Sequence, residues 1–106
     1  MMISIKRTVR VVIEKEIEIE LTPSVFGKMT QDDYLSEFRR SLWDVDGIDD
    51  VVTYAARMAA TDGNGYQHDG IGMVGYFEST YPRVPDVKFR TISENYEEEI
   101  VGGDTC

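Results

Sequence analysis

Residues Ile3 to Leu21 read ISIKRTVRVVIEKEIEIEL, and this stretch decides the fold class. Its odd positions run Ile3, Ile5, Arg7, Val9, Val11, Ile13, Lys15, Ile17, Ile19, Leu21. Its even positions carry Lys6, Thr8, Arg10, Val12 and then Glu14, Glu16, Glu18 and Glu20. Alternation of period two places successive side chains on opposite faces of a β-strand, so one face is apolar and the other charged. A single strand of this length would reach roughly 60 Å at about 3.3 Å per residue. That is long for a small domain and predicts a bend, a bulge or a tight hairpin near Glu14–Glu16. The hairpin would lack an Asn-Gly turn, which favours the bent strand.

Thr22-Pro23 stops the strand, and Pro23 suits the first position of a single helical turn that ends at Gly27. Thr30 and Asp33 form a pair like a capping box ahead of a helix carrying Leu35, Phe38 and Leu42 on one stripe, flanked by Tyr34 and Trp43. After the turn Asp44-Val45-Asp46-Gly47, a second helix is expected over about 48–61. Its stripe is Ile48, Val51, Val52, Ala55, Met58 and Ala59, with Gly63 as the terminating residue. Residues 62–75 are glycine-rich and read as a long loop leading into a short strand at Met73–Glu78. Val87, Phe89 and Thr91 begin another strand, whose phase changes at Ser93–Asn95 and resumes with Tyr96, Glu98 and Ile100. The expected fold is α+β: an antiparallel sheet with two helices packed on one face, in strand–helix–helix–strand order. A length of 106 residues favours one domain over 1–106, with 102–106 a loose tail.

Composition narrows the function. Twenty acids against eleven bases give a formal net charge of −9, which argues against direct binding of nucleic acid or of an anionic membrane surface. Cys106 is the lone cysteine, so no intrachain disulfide forms and nothing points to an oxidising compartment. No stretch has the roughly 20 apolar residues of a membrane span, and the first ten residues lack the apolar run of a signal peptide. A cytoplasmic location is expected.

The sequence holds three candidate chemical motifs. Gly70-Ile71-Gly72-Met73-Val74-Gly75 matches G-x-G-x-x-G, but a dinucleotide site needs a strand before it and a helix after it, and the order here is the reverse. Asp62, Asn64, Tyr66, His68 and Asp69 offer oxygen and nitrogen ligands on one loop. The calcium-loop pattern fails at Gln67 and Met73, and turn chemistry accounts for the same residues. His68-Asp69 with Ser79 or Thr80 lacks a nucleophile elbow. The expectation is therefore a non-enzyme with no catalytic residues, no metal and no cofactor.

Charge layout carries more. Glu14, Glu16, Glu18 and Glu20 share a strand face at about 6.6 Å spacing, comparable with successive phosphates on a nucleic-acid strand. Asp44, Asp46, Asp49 and Asp50 gather at the helix–helix junction, and Glu94, Glu97, Glu98, Glu99 and Asp104 follow the last base. Charge runs of this kind commonly do no more than solubilise, and Asp49 and Asp50 suit a helix N-terminus. The alternative is a surface shaped to fit a basic cleft.

In size, acidity and these carboxylate groups the chain resembles small phage-type anti-defence inhibitors, including the anti-CRISPR and anti-restriction proteins that mimic DNA. It also resembles immunity proteins and antitoxins that neutralise basic nucleases. The resemblance lies in character and not in a family motif, and basic Lys6, Arg7 and Arg10 depart from it. It implies an inhibitor that occupies the basic surface of a nucleic-acid-binding protein. Its partner-binding residues would be Glu14, Glu16, Glu18, Glu20, Asp44, Asp46, Asp49, Asp50, Glu94, Glu97, Glu98 and Glu99. Trp43, Tyr66, Tyr76 and Tyr81 are candidate anchors. Such an inhibitor is expected to be a monomer or homodimer; the competing expectation is a structural or assembly protein that oligomerises through exposed strand edges.

Overall fold

A computed structural model describes residues 3–81 and 83–103. The chain runs β1 (Arg7–Leu21), α1 (Pro23–Phe26), α2 (Gln31–Ser41), α3 (Ile48–Asp62), β2 (Tyr66–His68), β3 (Gly72–Tyr76) and β4 (Val87–Gly103). The four strands form one sheet in the order β1-β4-β3-β2.

From Arg7 to Leu21 the alternating stretch is one continuous strand, while Ile3–Lys6 lie ahead of it outside the sheet. The length that argued for a break is real, and the molecule accommodates it by being elongated, 66 Å along its longest axis. Its radius of gyration is 19.2 Å, whereas a compact chain of this size has about 13 Å. β1 pairs antiparallel with β4 over their whole lengths, from Arg7–Gly103 to Leu21–Val87. The irregularity expected near Glu14–Glu16 falls between Glu16 and Ile17 and is made by β4: Ser93 pairs with Glu16 and Thr91 with Ile17, leaving Ile92 extra. This bulge also accounts for the phase change placed at Ser93–Asn95. A second shift lies between Thr8 and Val9, with Val101 the extra residue. Gly102 and Gly103 pair with Thr8 and Arg7, while Asp104 and Cys106 lie outside the described residues.

The sheet is mixed, not antiparallel as expected. β3 runs parallel to β4, with Val74 opposite Val87 and Tyr76 opposite Phe89. The crossover of residues 77–86 returns the chain to the same end of the sheet, and buried Pro85 packs against Gly75. The loop expected over 62–75 contains β2, which pairs antiparallel with β3. Three helices form. Thr30 caps α2 by accepting the Asp33 N–H at 3.1 Å, and Gly63 ends α3 at φ 79°.

Ile17, Ile19, Leu21, Val87 and Phe89 share a sheet face by register, and they pack with Tyr34, Leu35, Phe38, Val51, Tyr54, Ala55 and Ala59 of the helices. Asp86 joins the layers. Its carboxylate accepts from the Met73 N–H at 2.9 Å, Arg83 Nη2 at 2.9 Å and Ser24 Oγ at 2.7 Å, and its carbonyl from the Thr22 N–H at 3.0 Å. Burial opposes its charge, but the Ser24 and Met73 hydrogen bonds and the Arg83 guanidinium outweigh it and hold the carboxyl below the ordinary carboxylate range.

Candidate functional site: a two-stranded ribbon

Beyond the bulge at Ile92, β1 and β4 continue together past the helical layer, which they meet only at the end of α3, as a two-stranded ribbon formed by Arg7–Glu16 and Ser93–Gly103. Every residue of it is exposed. Opposed residues in an antiparallel pair point to the same side, so the register assigns its two faces.

The first face carries Arg10, Val12, Glu14 and Glu16 from β1, with Glu99, Glu97, Asn95 and Ser93 opposite them. It continues toward the globule as Glu18 and Glu20, opposite Arg90 and Lys88. Arg90 donates to both carboxylate oxygens of Glu18 at 3.0 Å, and its guanidinium lies 5.3 Å over the Phe77 ring of the crossover. At the far end Arg10 stands 3.8 Å from Glu99. Between these pairs Glu14 and Glu16 face Asn95 and Ser93, and Glu97 faces Val12. No cation of the described residues comes within ion-pair distance of Glu14, Glu16 or Glu97. A shallow depression of about 460 Å³ opens beside Glu14, Glu16, Ser93 and Asn95.

The second face continues the apolar side of the sheet. Val9, Val11 and Ile13 stand there with Ile100, Glu98 and Tyr96 opposite, and Lys15 opposite Glu94. Val11 and Ile13 are each 53% exposed, Tyr96 56% and Ile100 66%. The Tyr96 hydroxyl donates to Glu94, which also pairs with Lys15 Nζ at 3.4 Å. Those two contacts hold the Glu94 carboxyl below its ordinary value, and the same hydrogen bond raises the Tyr96 phenol.

The expected partner-binding residues thus divide into three groups. Glu14, Glu16, Glu18, Glu20, Glu97 and Glu99 share the first face, whereas Glu94 and Glu98 point to the second. Asp44, Asp46, Asp49 and Asp50 are exposed at the α2–α3 junction. There the Asp50 carboxylate accepts the Asp46 N–H at 2.7 Å, and Arg39 Nε donates to the Val45 carbonyl at 2.7 Å. The far end of α3 meets the ribbon, since Ala60 lines a depression with Ile13 and Lys15. At about 1.5 Å per residue, Asp49 lies roughly 16 Å farther along the helix, so the junction group is separate from the glutamates.

Comparison with protein-family models, with curated proteins and with solved structures yields no match.

The alternative motifs are occupied by folding. Each glycine of the G-x-G-x-x-G run meets a packed neighbour: a Cβ on Gly70 would lie 2.6 Å from Phe38 and Leu42, on Gly72 2.3 Å from the Asp86 carboxylate, and on Gly75 2.6 Å from Pro85. The run enters a strand, not a helix. Asn64 Oδ1 accepts the Tyr76 N–H at 2.9 Å, and the Tyr54 hydroxyl donates to the Asp69 carbonyl at 3.0 Å. Tyr34 likewise donates to the Gly70 carbonyl at 2.6 Å, and burial, with Tyr54 nearby, pushes its phenol up to about 12. His68 Nε2 is buried without a hydrogen-bond partner among the described residues, 3.6 Å from Asp62. The Ser79 hydroxyl donates to the Tyr81 carbonyl at 3.3 Å. No group of three His, Cys, Asp or Glu able to hold a metal occurs among the described residues. No helix of the described residues is long and apolar enough to cross a membrane.

Among the expected anchors, Trp43 packs edge-on against Phe38 at 5.0 Å and Tyr54 at 4.9 Å, and Tyr76 lies 5.0 Å from Phe89. Tyr66 and Tyr81 are exposed, and all four sit off the ribbon. The aromatic that the ribbon does present is Tyr96. The sequence assigns it to the apolar row but holds no signal that the row's outer half stays uncovered, apart from a strand longer than the core beneath it.

Proposed function

We propose that the protein is an acidic binding protein whose ribbon occupies the basic surface of a nucleic-acid-handling protein. The observation that carries this reading is the position of Glu14, Glu16 and Glu97 on one exposed face with no cation opposite them. Like charges on adjoining strand positions destabilise the pair slightly. A cationic partner relieves that repulsion and gains steered association. Successive glutamates of β1 repeat at about 6.6 Å, so they can stand in for phosphates along a groove built for a strand of nucleic acid. In this role the ribbon acts by occlusion and needs neither a nucleophile nor a cofactor.

The test is capture from a bacterial lysate at low and high salt, comparing the wild-type chain with Glu14→Lys/Glu16→Lys/Glu97→Lys. The reading predicts a basic nucleic-acid-binding protein that is retained at low salt, released by salt, and lost by the variant. Equal capture by a variant with an unchanged melting temperature contradicts it.

A second reading, assembly through strand edges, is favoured by one observation. β1 is an edge strand along its whole length, and β4 pairs with β3 only at Val87–Phe89, so both edges of the ribbon are open.

A further inference from the structure

The second face of the ribbon poses a separate question. A two-stranded ribbon is marginal by itself in water, and this one leaves Val9, Val11, Ile13, Tyr96 and Ile100 each about half exposed or more on one side. Contiguous apolar surface of that kind marks a contact. We propose that its occupant is a second copy of the same chain, stacked face to face and antiparallel. This rests on the apolar face and is independent of the acidic-face reading.

Charge along the ribbon selects the partner and its direction. The tip of this face carries Arg7, next to Lys6, while its base holds Glu94 beside Lys15, with Glu98 midway; Arg10 points to the other face. The base also abuts the C-terminal end of α3, where Ala60 lines a depression with Ile13 and Lys15. That helix ends on Asp62 and has no basic residue in its last turn, so its partial negative charge has no cation on the helix itself. An antiparallel copy brings its Lys6 and Arg7 to this end, and symmetry repeats the contact at the other. In the parallel arrangement, basic tip meets basic tip. It also brings two helical layers together, because α2 and α3 pack on the same side of the sheet as the apolar row. The antiparallel stack instead places each ribbon in the layer that the partner's helices vacate. Sheets packed in this way lie about 10 Å apart, close to the spacing of a helix on a sheet. Both acidic faces remain on the outside of the resulting rod.

The test is sedimentation equilibrium of the full chain across a hundredfold concentration range, followed by Val11→Lys/Ile13→Lys. Both positions are exposed, so the variant keeps its fold, which circular dichroism and melting verify. The expected results are a concentration-dependent dimer for the wild type and a monomer for the variant, with Arg7→Glu weakening the dimer at least tenfold. A wild-type chain that stays monomeric overturns the proposal, and so does a dimer that survives Val11→Lys/Ile13→Lys, since edge pairing does not need that face. Direction is read by spin labels on Thr8→Cys in a Cys106→Ser background. Antiparallel stacking separates the two labels by about 20 Å or more along the ribbon, and labels in contact overturn it. Loss of lysate capture by Glu14→Lys/Glu16→Lys/Glu97→Lys with the dimer intact separates this proposal from the function proposed above.

Discussion

Arg90 reaches across from β4 and donates to both oxygens of Glu18 at 3.0 Å. This contact divides a row of glutamates that looks uniform in the sequence. Toward the globule, Glu18 and Glu20 stand opposite Arg90 and Lys88; toward the tip, Glu14 and Glu16 stand opposite Asn95 and Ser93. The exposed Glu18–Arg90 pair contributes little to stability, at most about 1 kcal/mol. Its effect is to place the unbalanced negative charge on the ribbon.

Charge reversal therefore has unequal effects along one strand face. Glu14→Lys/Glu16→Lys is expected to weaken binding to a basic partner at least a hundredfold, whereas Glu18→Gln changes it less than threefold. Titration calorimetry at two salt concentrations measures both. Equal losses would show that the row acts without regard to its cross-strand partners.

The apolar row is split in the same way. Ile19 packs against the core and Val11 does not. Ile19→Ala should cost about 2–3 kcal/mol, while Val11→Ala stays within about 0.5 kcal/mol. Urea denaturation at low protein concentration, where self-association makes no contribution, reads the difference.

Asp86 is held below the ordinary carboxylate range, so the folded state favours its ionised form. Its contribution to stability is thus full above the unfolded value, about 3.9, and is lost as pH falls through the lower folded value. Asp86→Asn removes that contribution. The melting temperature of the wild type should fall more steeply than that of the variant as pH drops below about 4. At neutral pH, Asp86→Ala should cost about 2–3 kcal/mol by leaving the Met73 N–H without its acceptor. Parallel pH dependences in wild type and Asp86→Asn would assign the acid response elsewhere.

Gly72 has φ 82°, and its missing Cβ leaves the space taken by the Asp86 carboxylate. Gly72→Ala combines a left-handed alanine with a clash and should lose about 2–4 kcal/mol. Gly65 also has positive φ but nothing within 4 Å, so Gly65→Ala should cost only about 1–2 kcal/mol. Thermal melts of the two variants test whether packing, and not loop mobility, explains the glycine-rich run.

Local signals in the sequence were legible where one element sufficed to specify them. Thr30 with Asp33 marks the start of α2, Gly63 the end of α3, and the alternation from Arg7 to Leu21 a strand. Tyr54 was missed from the α3 stripe because its ring is amphipathic, and its hydroxyl finds the Asp69 carbonyl only in the tertiary structure. The parallel pairing of β3 with β4 depends on where residues 77–86 turn, which no local propensity encodes. The candidate site depended on register in the same manner. Two-residue alternation places four glutamates together in any strand, but their neutralisation depends on which β4 residue lies opposite. The bulge at Ile92 sets that pairing on the ribbon: continuing the Leu21–Val87 register without it would put Glu16 opposite Ile92 and Glu14 opposite Glu94, while Arg90 would keep Glu18. The uncovered outer half of the apolar row was foreshadowed only by the length of the strand.

Displacement of a labelled short DNA duplex from the captured basic protein tests occlusion by the acidic face most directly. Addition of the wild-type chain should release the duplex in proportion to complex formed, with the effect declining as salt rises, and Glu14→Lys/Glu16→Lys/Glu97→Lys should release none. A ternary complex in which duplex and wild-type chain remain bound together to that protein would contradict the account.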